Sequence, residues 1–415
     1  MQSFLGKMFI LALLSSKAFG AYYYATLPAG VRAFAYHYTS TTDINSSYND
    51  QKQNDPHFIQ QSFDAKTLEG VNLATNALFN ELKKTSPEAY KNFSFGAYEA
   101  KANANISVQT TALGYGFTNH FTSYVTFPYY RAKVNLDVNR TANNQHETVS
   151  GNLHTTNDYG NGDQLGQLWE EVIKKLPDAS PGVVQSVIVN HYQYEPLGSW
   201  SGQGPGDLEW MNMYRLTDWK DSGLLVSGGL VLPTGREDNP DMIQDVAFGD
   251  GQLDVFAEFG GGKSFFKRLY HIDSYARYTY QAPSSKIKRA YTSADFPLTR
   301  EKETFDEKLG NKFLFGFINS YTPYSWLGVS LEYQFNYKEA DQYSSKNILA
   351  NSALAANTQT NSQVLKLMFE LSSVDLYFKN KFFMPMKVYL SAQDTIHGKN
   401  TPDVTRYDFE LRFFF

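Results

Sequence analysis

The chain has 415 residues, 37 Lys and Arg against 42 Asp and Glu, a net charge of −5, and no cysteine. That near-neutral balance argues against the strongly basic face of a nucleic-acid binder, and the missing thiols exclude disulfides and thiolate metal sites. Aromatic residues make up 16% of the chain while its mean hydropathy is −0.43, a combination expected where apolar and polar side chains alternate and cancel.

Residues 1–20, MQSFLGKMFILALLSSKAFG, read as a signal peptide. Lys7 precedes a short apolar run from Met8 to Leu14, and Ala18 and Gly20 have the small-x-small spacing of a cleavage site. The run is too short to span a bilayer, and no later apolar run reaches the length of a membrane helix. Export is therefore expected, with residues 21–415 forming a single barrel.

Twelve strands are predicted, at 30–41, 104–117, 120–138, 206–218, 223–235, 251–262, 272–285, 308–320, 325–338, 362–376, 383–394 and 405–415. The alternation is clearest late in the chain. Leu327, Val329, Leu331, Tyr333, Phe335 and Tyr337 share one phase, opposite Gly328, Ser330, Glu332, Gln334, Asn336 and Lys338. In the last strand Tyr407, Phe409, Leu411, Phe413 and Phe415 alternate with Arg406, Asp408, Glu410 and Arg412. Connections alternate as well. Short turns are predicted at 117–120, 219–223, 322–326 and 379–383, with a longer one at 261–271, while long segments fill 42–103 and 139–205. A soluble sandwich has no reason to sort its loops by parity, but an even-stranded outer-membrane barrel with both ends in the periplasm does. The predicted fold is thus all-β: a transmembrane antiparallel β-barrel in the outer membrane of a Gram-negative bacterium, surrounded by outer-membrane lipid.

The two long loops carry helical patterns. In KTLEGVNLATNALFNELKKTS, Leu68, Val71, Leu78, Phe79 and Leu82 lie near one face; in DQLGQLWEEVIKKL, Leu165, Leu168, Trp169, Val172 and Leu176 form an apolar stripe. A lid or plug over the barrel is the functional reading, and a purely structural extracellular cap is the alternative. PGVVQSVIVNHY fits helix or strand.

The strand phases point a mixed set inward: Asp207, Glu209, Met211, Met213 and Arg215; Asp254, Phe256 and Glu258; Arg277; Glu332; Lys366 and Glu370; Lys387 and Tyr389; Arg406, Asp408, Glu410 and Arg412. Acids and bases nearly balance, which argues against rings of one sign in a strongly ion-selective pore and for cross-strand pairs that brace the wall.

Three stretches carry a family resemblance: ALGYGFTNHFTSYVTFPYY (112–130), GQGPGDLEWMNMYRL (202–216), and GGLVLPTGRED with AFGDGQLDVFAEF (228–259). Together they resemble the outer-membrane barrel family labelled MetA-pathway of phenol degradation. That resemblance implies a channel for small hydrophobic or aromatic solutes, by analogy with fatty-acid and toluene transporters. The two helical insertions are larger than the family pattern. A carboxy-terminal Phe on an alternating strand also resembles the signal recognised by the barrel-assembly machinery, which makes Phe415 a point of contact with it.

No enzyme is expected. His271 and Ser274 are the one close pair that a membrane-facing hydrolase could use, and His191 with Tyr192, Tyr194 and Glu195 sits in a loop. EF-hand, P-loop and dinucleotide fingerprints are missing, so no cofactor or metal is expected. The sequence therefore predicts a passive outer-membrane channel for small hydrophobic or aromatic molecules. The alternative is a structural or surface-interaction barrel with a closed lumen.

Overall fold

The computed structural model describes residues 23–69, 73–85, 87–142, 181–294 and 297–415. They fall into two compact units, one holding residues up to 56 with 103–134 and 200–415, the other 57–102 and 135–199.

The first unit contains the barrel. Its strands are β1 (Arg32–Thr41), β2 (Ser94–Gly116), β3 (Phe121–Ala142), β4 (Leu208–Arg215), β5 (Ser222–Leu232), β6 (Asp254–Phe265), β7 (Tyr270–Gln281), β8 (Lys312–Tyr324), β9 (Leu327–Lys338), β10 (Thr360–Ser372), β11 (Met386–Lys399) and β12 (Thr405–Phe414). Each pairs with its chain neighbours, and β12 pairs antiparallel with β1, so the twelve strands close into a ring. In that seam Phe34 faces Phe413, His37 faces Glu410 and Thr41 faces Arg406. Arg32 and Phe415 finish it by exchanging backbone hydrogen bonds of 2.7 and 3.0 Å. Closure matters because lipid offers no partner to a backbone amide.

The period-two pattern sets the two faces. On β6, Val255 and Phe259 are exposed while Asp254, Phe256 and Glu258 are buried. Leu331, Phe369, Leu390 and Phe409 extend the exposed apolar rows around the wall. A one-residue slip would invert every row, so burial itself fixes the register. Among the described residues no helix is long and apolar enough to cross a membrane.

Loop parity holds around the ring, with two revised lengths. The turn expected at 261–271 shrinks to 266–269, because Gly261 and Gly262 stay in the ladder opposite Ser274 and Asp273. The turn expected at 379–383 grows to 373–385 and includes a helical turn, Val374–Phe378. On the other side, the chain between β1 and β2 is not simply helical. It holds short strands at Ser46–Tyr48, Asn54–Pro56 and Phe58–Asp64, and β2 begins ten residues earlier than expected. β3 is likewise longer. Pro128 lies inside it, where the partner changes from β4, paired to Phe121–Thr126, to the strand Trp200–Pro205, paired to Tyr129–Val134. A residue without an N–H suits that break in the ladder.

The second unit has its own small core. The helix Leu73–Thr85 buries Phe79 and Leu82, and Phe79 meets Phe93 edge-on at 5.0 Å. Leu78 is half-buried, and Leu68 falls in the preceding helix Ala65–Glu69. Val71 and the whole stripe Leu165, Leu168, Trp169, Val172 and Leu176 lie outside the described residues. The ambiguous PGVVQSVIVNHY is helical, Pro181–Ser186 continuing into one π turn.

Because Leu331 stands at the middle of β9 with its side chain outward, Leu331→Arg is expected to lower stability by about 2–4 kcal/mol. Denaturant titration after refolding into phosphatidylcholine vesicles measures this, and an unchanged midpoint would contradict a lipid-facing wall at that position.

Candidate functional site

The three motifs that carried the family resemblance meet in one knot at the loop end of β3–β6. Asp207 accepts hydrogen bonds from the amides of Gly235 (2.8 Å) and Asp250 (3.3 Å). Thr234 Oγ1 donates to the Gly206 carbonyl and accepts from the Leu208 amide. Gly235 and Gly249 pass so closely that a Cβ on either would strike the other's backbone. Arg236 forks onto Asp245, with nitrogen–oxygen distances of 3.0 and 2.7 Å, and its guanidinium lies 4.7 Å above the Phe248 ring. Phe248 in turn stacks on Tyr130 at 5.4 Å. These contacts fix the 233–253 loop with Ile243, Val246 and Phe248 buried.

Two further loops join it. Strands Ser284–Arg289, Lys302–Lys308 and Gln342–Ser344 form a small sheet, and the helix Ile348–Ala355 packs Ala350 against Phe305 and Ala290. Arg289, fully buried, reaches Asp241 of the first loop at 2.5 Å. Between these loops and the inner wall lies a cavity of about 310 Å³. Its lining mixes Tyr130, Ile243, Phe248, Tyr337 and Leu354 with charges such as Lys286, Lys312 and Glu307. Those charges have partners: Lys312 lies 3.4 Å from Asp254, and Lys288 lies 2.8 Å from Glu307.

The eighteen inward-phase residues fall into local groups. Arg277 on β7 spans the interior to Glu209 on β4 at 2.9 Å, and its guanidinium sits 3.6 Å over Phe256. Met211 and Met213 pack beside them with Tyr124. Glu332 accepts from Tyr275 at 2.8 Å. Lys387 pairs with Glu370 at 2.7 Å, and Arg412 pairs with Glu410 and lies 4.5 Å above Tyr389. Asp408 collects the most partners. It accepts from Thr39 on β1 (2.7 Å) and Ser391 on β11 (3.1 Å), and pairs with Arg406 (3.1 Å) and Lys366 on β10 (3.4 Å). Asp254 is buried and pairs with Lys312 of the cavity lining, Glu258 is buried on β6, and Arg215 turns to Asp218 at the opposite end of the barrel (2.7 Å).

A third feature has no periodic signal in the sequence. Residues 23–31 run inside the turn end of the barrel. Tyr23 stacks on Tyr275 at 4.9 Å, and Tyr24 and Leu27 join Tyr124, Met211, Met213 and Phe256 in one cluster. The Leu27 amide donates to Thr122 (2.8 Å), and Ala29 to Asn119 (2.9 Å). The wall is shaped for these rings: a Cβ at Gly260 would strike Tyr23, and one at Gly223 would strike Tyr24.

The hydrolase pair does not assemble. Ser274 is exposed on the outer face, whereas His271 is 1% exposed on the inner face and contacts Ser264 at 2.7 Å. Among the described residues no group of three His, Asp or Glu side chains is placed to hold a metal ion.

No protein-family model and no curated protein matches the chain. Among solved structures, an outer membrane channel from Pseudomonas putida superposes with a TM-score of 0.52 at 11% identity, covering 94% of this chain and 98% of that one. This barrel has the fold of an outer-membrane channel. Two toluene transporters align over similar spans but superpose too loosely to bear on it. They are TbuX of Ralstonia pickettii (7% identity, TM-score 0.36, 93% of this chain and 90% of that one) and TodX of Pseudomonas putida (8%, 0.31, 94% and 89%).

Two outcomes test the site's construction. Removing the Asp408 carboxylate leaves Arg406 and Lys366 facing each other unneutralised, so Asp408→Ala is expected to cost about 3–5 kcal/mol, read as a lower denaturant midpoint. Asp207, on the loop side of β4 and outside the membrane-spanning strand, has its carboxyl pushed up to about 6, chiefly by burial and secondarily by Asp250 and Asp254, against an ordinary 3.8. Between those values the folded state holds a proton that the unfolded state has lost. Its contribution to stability is therefore full near pH 4 and gone above pH 6. The wild type should lose up to about 3 kcal/mol relative to Asp207→Asn across that window. Parallel denaturation curves for the two proteins at every pH would contradict this.

Proposed function

We propose that the protein is an outer-membrane channel through which small hydrophobic or aromatic molecules diffuse passively. The observation that carries this reading is the cavity behind the 233–253 loop. It is large enough for a single-ring solute, and its lining mixes aromatic and aliphatic side chains with six acids and six bases, Lys312 pairing with Asp254 and Lys288 with Glu307. Such a lining favours an uncharged guest over an ion, because it offers no unbalanced charge of either sign. The motif resemblance to the phenol-degradation barrel family supports the same solute class.

On this reading the solute is received at the loop end and passes toward the periplasm along the inner wall. Tyr23 and Tyr24 occupy that route, so the segment carrying them must shift for passage. Residues 1–20 serve as the export signal, and the strand ending at Phe415 as the contact for barrel assembly.

The packed cluster around Arg277 and Phe256 supports the alternative, a closed structural barrel. Channel recordings on the reconstituted protein separate the two. The double variant Tyr23→Ala/Tyr24→Ala is expected to conduct severalfold more than the wild type and to take up a small aromatic solute faster into vesicles. A barrel that stays sealed with both rings removed and with the 238–250 loop shortened would establish the closed reading.

A further inference from the structure

The turns at the end of the barrel opposite the cavity carry a repeated feature that solute passage does not use. Trp219, Phe266 and Phe383 project from three separate turns, with 59, 79 and 77% of their surfaces exposed. Each has a lysine beside it in sequence or one residue removed: Lys220, Lys267 and Lys381. The acids of these turns are engaged elsewhere. Asp218 pairs with Arg215, Asp221 with Arg268, and Asp375 with Lys379. Among the described residues Lys220 and Lys267 form no ion pair, and Lys381 shares Asp375 at longer range with Lys379, which holds that carboxylate directly.

The turns are also built to keep the rings outward. Phe266, Lys267 and Arg268 hold φ values of 51°, 57° and 72°, three consecutive side chains in the left-handed region. That conformation is strained for a side chain and persists only when its surroundings enforce it. Here they do: Arg268 donates to the Lys220 carbonyl at 2.9 Å, and Thr322 donates to the Arg268 carbonyl at 2.7 Å. In the longest turn, Ser373 bridges to Met384 and Met386, and Asp375 is held by Ser325 of the neighbouring turn at 2.7 Å. Phe378 is exposed in the same turn as the stacked Phe382–Phe383 pair.

Three exposed apolar rings on one rim present a surface suited to a lipid boundary. The patch continues the lipid-facing rows of the wall, through Tyr214, Tyr321, Leu371 and the stacked Tyr324–Trp326 pair. Aromatic rings at this level rest among lipid headgroups. An ammonium next to each ring, none of them closed into a salt bridge among the described residues, adds attraction for a negatively charged headgroup.

We propose that these turns form a binding rim for anionic phospholipids of the inner leaflet, each lysine engaging a headgroup phosphate while its aromatic neighbour inserts at the acyl boundary. The rim would then select lipid by charge as well as by hydrophobicity, and would set the depth of the barrel in the membrane.

The experiment uses full-length protein in detergent micelles with equal amounts of phosphatidylglycerol and phosphatidylcholine, bound lipid being counted by native mass spectrometry. Wild type is expected to retain phosphatidylglycerol preferentially. Lys220→Gln/Lys267→Gln/Lys381→Gln should lower that preference by roughly fivefold per lysine, with folding verified by heat-shifted gel mobility. Phe266→Ser/Phe383→Ser should weaken retention of both lipids and leave their ratio unchanged. Equal retention of the two lipids by wild type, or an undiminished preference in the triple lysine variant, would overturn the proposal. So would a Phe variant that keeps its lipid but loses a co-purifying periplasmic protein, which would mark the rim as a protein-docking surface.

Discussion

Every other feature rests on the seam between β1 and β12. A strand in hydrocarbon can hydrogen-bond only to protein, so a single unpaired edge would leave a row of amides and carbonyls unsatisfied at several kcal/mol each. Backbone pairing from Ala33–Phe414 to Thr41–Arg406 removes that edge. Asp408 reinforces it from inside, because one buried carboxylate takes bonds from Thr39 of β1, Ser391 of β11 and Lys366 of β10 together. The desolvation of that charge is offset only while all its partners remain. The seam is therefore stiff, and the stiffness makes a fixed interior surface possible.

On that surface the protein arranges two obstructions of different character. The loop-end obstruction is polar and jointed: Asp207, Thr234 and Arg236 tie the 233–253 loop through identifiable hydrogen bonds. The turn-end feature is aromatic at its tip, where Tyr23 and Tyr24 fit against glycine-bearing wall, and hydrogen-bonded at its base through Leu27 and Ala29. A hydrogen-bonded loop responds to protonation and to competing polar ligands. A ring in a close-fitting socket is governed by shape rather than by charge. The two ends are thus sensitive to different chemistry.

The architecture was legible in the sequence to the extent that it is periodic. Strand number and phase follow from a two-residue repeat that burial enforces, as in the row from Leu327 to Tyr337, and parity of loop length follows from the need to cross and return. Turn details were not legible. Gly261 and Gly262 resemble turn residues yet continue a strand, since their partners on β7 supply the ladder. The knot was visible only as fragments: GPGD, LPTGR and FGDG are short and separated, and nothing local says that Asp207 bonds residues 28 and 43 positions away. An apolar run inside a polar loop, MIQDVAF, was the signal for the buried loop. For Tyr23 and Tyr24 no comparable signal exists, because an irregular segment in a lumen has no repeat to detect. The two helical loops drew attention through their amphipathic stripes, while the cavity is formed by loops 233–253, 282–311 and 339–359, whose patterns are weaker.

The sockets at Gly223 and Gly260 exist only as missing methyl groups. Adding one carbon there fills the space that receives a tyrosine, while the opposite face of the strand, in contact with lipid, stays as it was. The packing of the lumen can therefore change by the smallest possible mutational step without disturbing strand pairing. The seating of an aromatic segment inside the barrel thus depends on two absent carbons that leave no trace on the outside of the cylinder.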